Sequence, residues 1–435
     1  MKLLSKIRYF ILPSALILHL SLVLIRGYFL SIEFTLYPYL TSHGFLPYRN
    51  IIDQHFPTLL FGPFSLPAFL TTNPWPLLAV FLGTLCLTDI LFYLSLIRFK
   101  VHQPFLWLIF YIVSSVYFSG NTLWLETFIN LLLSAWLFLS FSKFPVSKFI
   151  SGLLFSQIIL LRPTILPAIL FLIFGLYLPI TALFLAGIFA GFFIPGVYLL
   201  RHHLTSDFYR LTIEFNQQAY PRGAFLLPAK RQIIYLLLWL SPIIYSLIRK
   251  RKRLLLICLA SFLLLIFPRF GFEHLQPLFL CTVLFWALNS KKPQPLIYFL
   301  IFSLFCLSLI ASLRHPYGNY FLNPDVKNIS QTVRALPGQN IYLLGASDLI
   351  YPLSGKTPPQ FTYLPSLPWY FSQTDFTDRV IKSLSDKNTP VLLDYSASID
   401  GVNILESSGQ ILEYIRMNFT PGKKISHYQL FLPKP

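Results

Sequence analysis

Long apolar runs separated by short polar breaks fill the chain from residue 9 to residue 313. Runs of roughly 20 apolar residues suit helices that cross a hydrocarbon layer about 30 Å thick. The pattern predicts about eleven spans, at 9–25, 76–97, 105–118, 123–141, 149–161, 165–177, 181–200, 233–248, 254–267, 277–288 and 296–313. Basic residues gather in alternate breaks: Lys2, Lys6 and Arg8, then Arg98 and Lys100, Lys143 and Lys148, the run 249–253, and Lys291 with Lys292. Positive charge stays in the cytoplasm, so the N-terminus is expected inside. Segments 27–75 and 201–232, and everything after residue 313, are then expected outside. Residues 57–70 are apolar but short and broken by Pro63 and Pro67, which predicts an interfacial or re-entrant helix.

From residue 314 the pattern changes. Short β-like runs at 340–344 and 390–394 alternate with helical stretches near 326–336, 376–385 and 410–417. Such alternation predicts a small α/β domain. The expected fold is therefore an all-α polytopic membrane protein with a small C-terminal extracytoplasmic α/β domain. Its division is a transmembrane domain over 1–315, including an exterior loop at 27–75, and a soluble domain over 316–435.

Composition supports this class. The 435 residues are 55% hydrophobic and only 11% charged, more apolar surface than a soluble core can hide. The net charge of +18 would suggest nucleic acid in a soluble protein. Here topology accounts for the clustered lysines and arginines, so membrane lipids rather than nucleic acid are the expected partners. The four cysteines all lie in apolar runs, which excludes a disulfide-braced exterior domain. The first apolar run lacks a small-residue cleavage site and reads as an uncleaved span in the cytoplasmic membrane.

Against this apolar background the exterior loop is the richest stretch, carrying Glu33, Tyr48, Arg49, Asp53 and His55. Glu33 is expected on a short helix over 31–40, where burial would raise its pKa toward that of a useful base. Asp53 and His55 are the next candidates, as a second acid–base pair or to orient the acceptor; they could also contribute to a divalent-metal site, but two ligands are not a site, and no cofactor is expected. Arg162, Arg269 and His274 fall at outer span ends, where they can grip a phosphate or a lipid headgroup. Arg269 is expected to share a helical face with Glu273 and His274. Glu126 lies just inside a span, where a carboxylate is costly, so it reads as a functional group or as an arginine's structural partner. Asp89, mid-span, has no evident partner.

The order of these residues resembles the GT-C superfamily of membrane glycosyltransferases that use polyprenyl-phosphate sugars, such as protein O-mannosyltransferases and lipid A aminoarabinose transferases. Members carry an acid in the first exterior loop, a G-x-x-P-Y element, an Asp and an (H/Q)-x-P step. Here the chain reads Glu33, Gly44-Phe45-Leu46-Pro47-Tyr48, Asp53 and His55-Phe56-Pro57. Arg162-Pro163 and the set Arg269, His274 and Pro277 match two later features. The resemblance implies an inverting transferase with a polyprenyl-phosphate-linked sugar as donor and a glycan, lipid or protein acceptor. It implies Glu33, Asp53 and His55 as catalytic residues, and Arg269, Arg162 and His274 on the donor phosphate. Tyr48, Arg49, Glu126 and Glu273 would contact substrate. Many members have Asp, or Asp-Glu, where this chain has a lone Glu33, so both Glu33 and Asp53 stand as the base. A lipid-linked glycan flippase or an O-antigen ligase or polymerase is the alternative.

Overall fold

The computed structural model describes residues 2–59, 65–290, 295–314, 323–385 and 389–434. The Lys291-Lys292 cluster, the middle of the 57–70 segment and the expected 315/316 boundary lie outside them. The chain forms two compact units. One, the helical unit, comprises Met1–Leu30, Leu78–Ile194 and Leu226–Asn319. The other, the mixed unit, comprises Ser31–Leu77, Pro195–Phe225 and Tyr320–Pro435. These units cut across the linear division expected from composition, because most of the 27–75 segment belongs to the same unit as the tail.

Most of the chain is helical, and each expected apolar run carries a helix. Length is a stricter criterion. Among the described residues three helices are long and apolar enough to cross a membrane: Pro74–Arg98, Ala182–Arg201 and Lys230–Arg249. Pro145–Leu161 and Pro163–Gly175 are bent by 118° at a short break, making a broken span or a re-entrant loop. Pro163 has no amide proton to continue the first helix, and Arg162 before it is extended. Leu12–Arg26, Pro104–Tyr117, Leu125–Ser140, Arg253–Ile266 and Pro295–Ala311 are apolar but shorter.

Within the helical unit small residues let backbones meet. A Cβ on Gly187 would collide with the carbonyl oxygen of Phe149, and one on Gly152 with that of Phe184. Gly187 and Gly191 lie one turn apart on Ala182–Arg201, the small-xxx-small spacing by which helices associate in lipid. Phe29–Leu30 pairs in parallel with Thr122–Leu123, and the Asn121 amide donates to the Gly27 carbonyl at 2.7 Å. All four cysteines are free thiols in apolar helices.

The mixed unit is built on a four-stranded sheet in the order Tyr342–Leu344, Val391–Asp394, Tyr428–Pro433, Phe419–Ile425. The first pair is parallel and the others antiparallel. The two parallel strands are buried along their whole length, as suits runs that are apolar but for the closing Asp394. Helix Thr374–Leu384 crosses between them and buries Phe376, Val380 and Leu384, spaced at one helical turn. Asn323 caps Pro324–Arg334 by accepting from the Asp325 amide at 2.9 Å. The expected 57–70 helix is reduced among the described residues to Ala68–Thr71. Pro67 immediately before it is extended and blocks an earlier start.

Candidate functional site

Helix Glu33–Ser42 opens on its own acid, a favourable charge at the positive end of the helix dipole. It closes at Gly44, whose φ of +86° suits a residue without Cβ. There the Gly44 amide donates to the Thr41 carbonyl at 3.1 Å and the Phe45 amide to Leu40 at 3.1 Å, the two bonds of a Schellman stop. A tight turn follows, in which the Leu46 amide donates to Asn50 Oδ1 at 2.8 Å. The chain then runs extended beside Tyr363 of the tail. The Ile52 amide donates to the Tyr363 carbonyl at 3.0 Å, and the Tyr363 amide to the Asn50 carbonyl at 2.8 Å.

That pairing fixes Asp53 and His55. Asp53 Oδ1 accepts from the His55 amide at 2.7 Å and lies 2.7 Å from His55 Nδ1. Its Oδ2 accepts from the Tyr37 hydroxyl. Burial pushes the Asp53 carboxyl up, but the His55 charge and these hydrogen bonds outweigh it and hold the group below the usual carboxylate range. Asp53 is thus an ionised anchor for His55 with both oxygens engaged.

Glu33 is in a different state. Half-buried by exposed area, it is nevertheless densely surrounded, and no ion pair joins it to a base among the described residues. Burial raises its pKa; its own backbone hydrogen bond and the more distant His55 oppose this, and Asp53 adds to it. Tyr37, Tyr363 and Tyr370 surround these acids, and burial followed by nearby carboxylates keeps their hydroxyls protonated. The Tyr370 hydroxyl donates to Gln54 Oε1 and accepts from the Gln54 amide at 3.2 Å. Its ring stacks on Phe215 with centroids 5.1 Å apart.

The other loop candidates hold the unit together. The Tyr48 hydroxyl donates to the His55 carbonyl at 3.1 Å. Arg49 Nε donates to Asp207 at 3.0 Å, and the Arg49 carbonyl accepts from Arg379. Three stretches far apart in sequence thereby meet at Arg49.

In the helical unit Glu126, Arg162 and His274 form a second cluster. Glu126 is 1% exposed, and its Oε1 accepts from Arg162 Nη1. His274 Nδ1 lies 2.9 Å from Arg162 Nη1 and 3.1 Å from Glu126 Oε1. Arg162 Nη2 donates to the Leu265 carbonyl. Glu273 stands at the edge of the cluster, 3.9 Å from His274 Nε2. Arg269 does not share a helical face with Glu273 and His274. It pairs as extended chain with Leu226, while Glu273–Leu275 forms only a short 3-10 turn. Pro268 and Gly271 flank Arg269 and both oppose a helix there.

Three features escaped the reading of the sequence. Asp89 does have a partner: His19 Nδ1 lies 2.7 Å from its Oδ2, with both side chains buried. Tyr37, Gln54 and Tyr370 carry no motif. Asp348 sits at the C-terminal end of a parallel strand, the edge where α/β folds place ligands. Among the described residues no three His, Cys, Asp or Glu side chains are grouped to hold a metal ion. No protein-family model matches the chain, and no curated protein matches it either.

Proposed function

We propose that the chain is an integral membrane glycosyltransferase that moves a sugar from a polyprenyl-phosphate donor to a glycan, lipid or protein acceptor at the exterior face of the cytoplasmic membrane. One observation carries this reading: the loop holds two acids in opposite states. Asp53 is ionised with both oxygens occupied, whereas Glu33 has a raised pKa and no paired base among the described residues. A general base works best with a pKa near the operating pH, which favours Glu33 over Asp53. As the acceptor oxygen bonds to the sugar's anomeric carbon from the face opposite the phosphate, Glu33 takes the hydroxyl proton and the phosphate leaves with the bonding electrons. Asp53 and Tyr37 keep His55 in place beside that event. Arg269, Arg162 and His274 stay the candidates, by side-chain chemistry, for binding the negative charge that grows on the phosphate. Three to four membrane-length segments and the pattern of basic breaks support the membrane location.

The test is transfer by membranes supplied with a panel of radiolabelled polyprenyl-phosphate sugars. Wild type should label acceptor from one of them, and Glu33→Gln should lose that labelling by about a hundredfold or more. Undiminished transfer by the variant removes Glu33 from the mechanism. A reporter fused after Leu313 should score as exterior; a cytoplasmic score overturns the sidedness.

A second reading has its own observation. The buried His19–Asp89 pair is the kind of ionisable group that marks a transport path, and so favours a lipid-linked glycan flippase. Flipping of a fluorescent carrier by reconstituted protein that depends on Asp89, without any sugar transfer, selects that reading.

A further inference from the structure

Within the helical unit, beside the basic break that holds Lys143 and Lys148, the helices leave a crevice with about 250 Å³ of free space, partly open to the outside. Helix Leu125–Ser140 gives it Trp136, and helix Pro145–Leu161 gives it Lys148 and Ser151. Ile173, Ile180 and Phe184 form an apolar wall. Trp136 is 1% exposed and Ser151 2%. Yet the Trp136 indole N–H and the Ser151 hydroxyl have no hydrogen-bond partner among the described residues. Neither is loose. The Trp136 ring lies against Phe155 with centroids 6.2 Å apart, and Phe155 against Phe184 at 5.5 Å. Gly152, next to Ser151, lets the Phe184 backbone close in, where a Cβ would collide with its carbonyl oxygen. A buried donor left unpaired is costly, so two lining one crevice call for an acceptor from outside the chain. Lys148 adds charge. Its Nζ donates to the Ser140 carbonyl, and no carboxylate pairs with it among the described residues. The sequence holds no acid at all between Glu126 and Asp207. Arg98, whose guanidinium sits over the Phe138 ring, is a second positive charge acting on Lys148.

We infer that this crevice binds the phosphate of an anionic glycerophospholipid. An indole N–H and an ammonium can only donate, and a serine hydroxyl can donate with them. Such a set repels a metal ion and suits an anion. A phosphate oxygen accepts from all three and brings no proton that needs a partner, whereas a water brings two. Lysine serves phosphate as a point charge, and anionic headgroups gather at basic membrane faces. The apolar wall selects the lipid over a free anion, because Ile173, Ile180 and Phe184 offer a bare phosphate nothing but can lie along the first methylenes of an acyl chain. The leaflet is the one that the basic breaks face, cytoplasmic on the sidedness proposed above. The crevice is lined from both limbs of the bent pair, Lys148 and Ser151 on Pro145–Leu161 and Ile173 on Pro163–Gly175. An occupant therefore braces the 118° bend and stabilises the fold. The inference holds whether or not the chain transfers sugar.

The experiment uses purified full-length protein in nanodiscs that mix phosphatidylcholine with phosphatidylglycerol. Lipid retained after release into detergent is identified by native mass spectrometry, and melting is followed in parallel. Wild type should retain phosphatidylglycerol in preference to phosphatidylcholine and melt higher when phosphatidylglycerol is present. Trp136→Phe keeps an aromatic ring and loses one donor; Ser151→Ala loses the other. Each should cut phosphatidylglycerol retention by about tenfold, and Lys148→Gln by at least as much. Lys143→Gln, in the same basic break but outside the crevice, should retain lipid like wild type. Trp136→Phe and Ser151→Ala carry the test by themselves should Lys148→Gln fold poorly. Equal retention of the two lipids overturns the inference, as does retention that survives both donor variants. Loss in Lys143→Gln as deep as in Lys148→Gln overturns it too, since that is loose attraction to a basic face. Inorganic phosphate that raises the melting temperature as far as phosphatidylglycerol does would make the ligand a free anion and sink the lipid assignment.

Discussion

Two acids, one in each unit, receive opposite treatment. Glu126 in the helical unit is 1% exposed and shares its Oε1 between Arg162 and His274. Glu33 in the mixed unit keeps a window to solvent, and what acts on it most is burial, opposed by its own backbone hydrogen bond and then by the His55 charge, with Asp53 adding to the rise. A buried carboxylate with a fixed guanidinium has its charge cancelled in place and is a joint. One balanced between a histidine and a carboxylate, with no guanidinium fixed on it among the described residues, has a protonation state that small changes can move. The difference teaches that burial alone does not mark a working acid; the partner does.

The comparison breaks most easily at Arg162. Arg162→Met leaves Glu126 buried without its cation, so unfolding of the purified protein should become easier by about 3–5 kcal/mol. Replacing both residues with apolar ones should recover most of that loss. A single variant as stable as wild type would mean the pair is no joint. Tyr37→Phe comes next. It takes a donor from the ionised Asp53, which should cost about 1.5–3 kcal/mol in chemical denaturation. No cost would put Tyr37 outside the anchor.

The smallest effect is a slope. Burial makes Asp348 bind its proton more tightly folded than unfolded, so it adds stability below pH ~4 that is lost as pH rises toward about 7. Asp53, with its folded pKa lowered, has the opposite sign: its contribution is present above pH ~4 and disappears as pH falls through the folded value. Asp348→Asn should therefore flatten the fall in melting temperature between pH 4 and pH 7 and leave the acid limb below pH 4 unchanged. A parallel pair of curves would contradict the assignment.

Local pattern made much of the fold legible. Apolar runs declared their helices, and the tail's buried strands, 342–344 and 391–394, fall within the stretches read from sequence because their residues are apolar up to the closing Asp394. The hairpin Phe419–Ile425 with Tyr428–Pro433 escaped notice, since its first strand is exposed along most of its length and carries Pro-Gly-Lys-Lys. Of the site, Glu33, Asp53 and His55 were visible as rare polar residues in an apolar chain. Their surroundings were not, because Tyr363 and Tyr370 lie more than 300 residues away and meet the loop only through tertiary pairing. Arg269 misled because helical spacing was assumed across Pro268 and Gly271. His19 hid inside an apolar run whose one imidazole gains meaning only against Asp89.

The direct test of the contrast between the two acids is sugar transfer per folded molecule, measured side by side for Glu33→Gln and Arg162→Met. The account predicts that Glu33→Gln melts like wild type and loses transfer by about a hundredfold or more, while Arg162→Met melts well below wild type. Transfer retained by folded Glu33→Gln would contradict it.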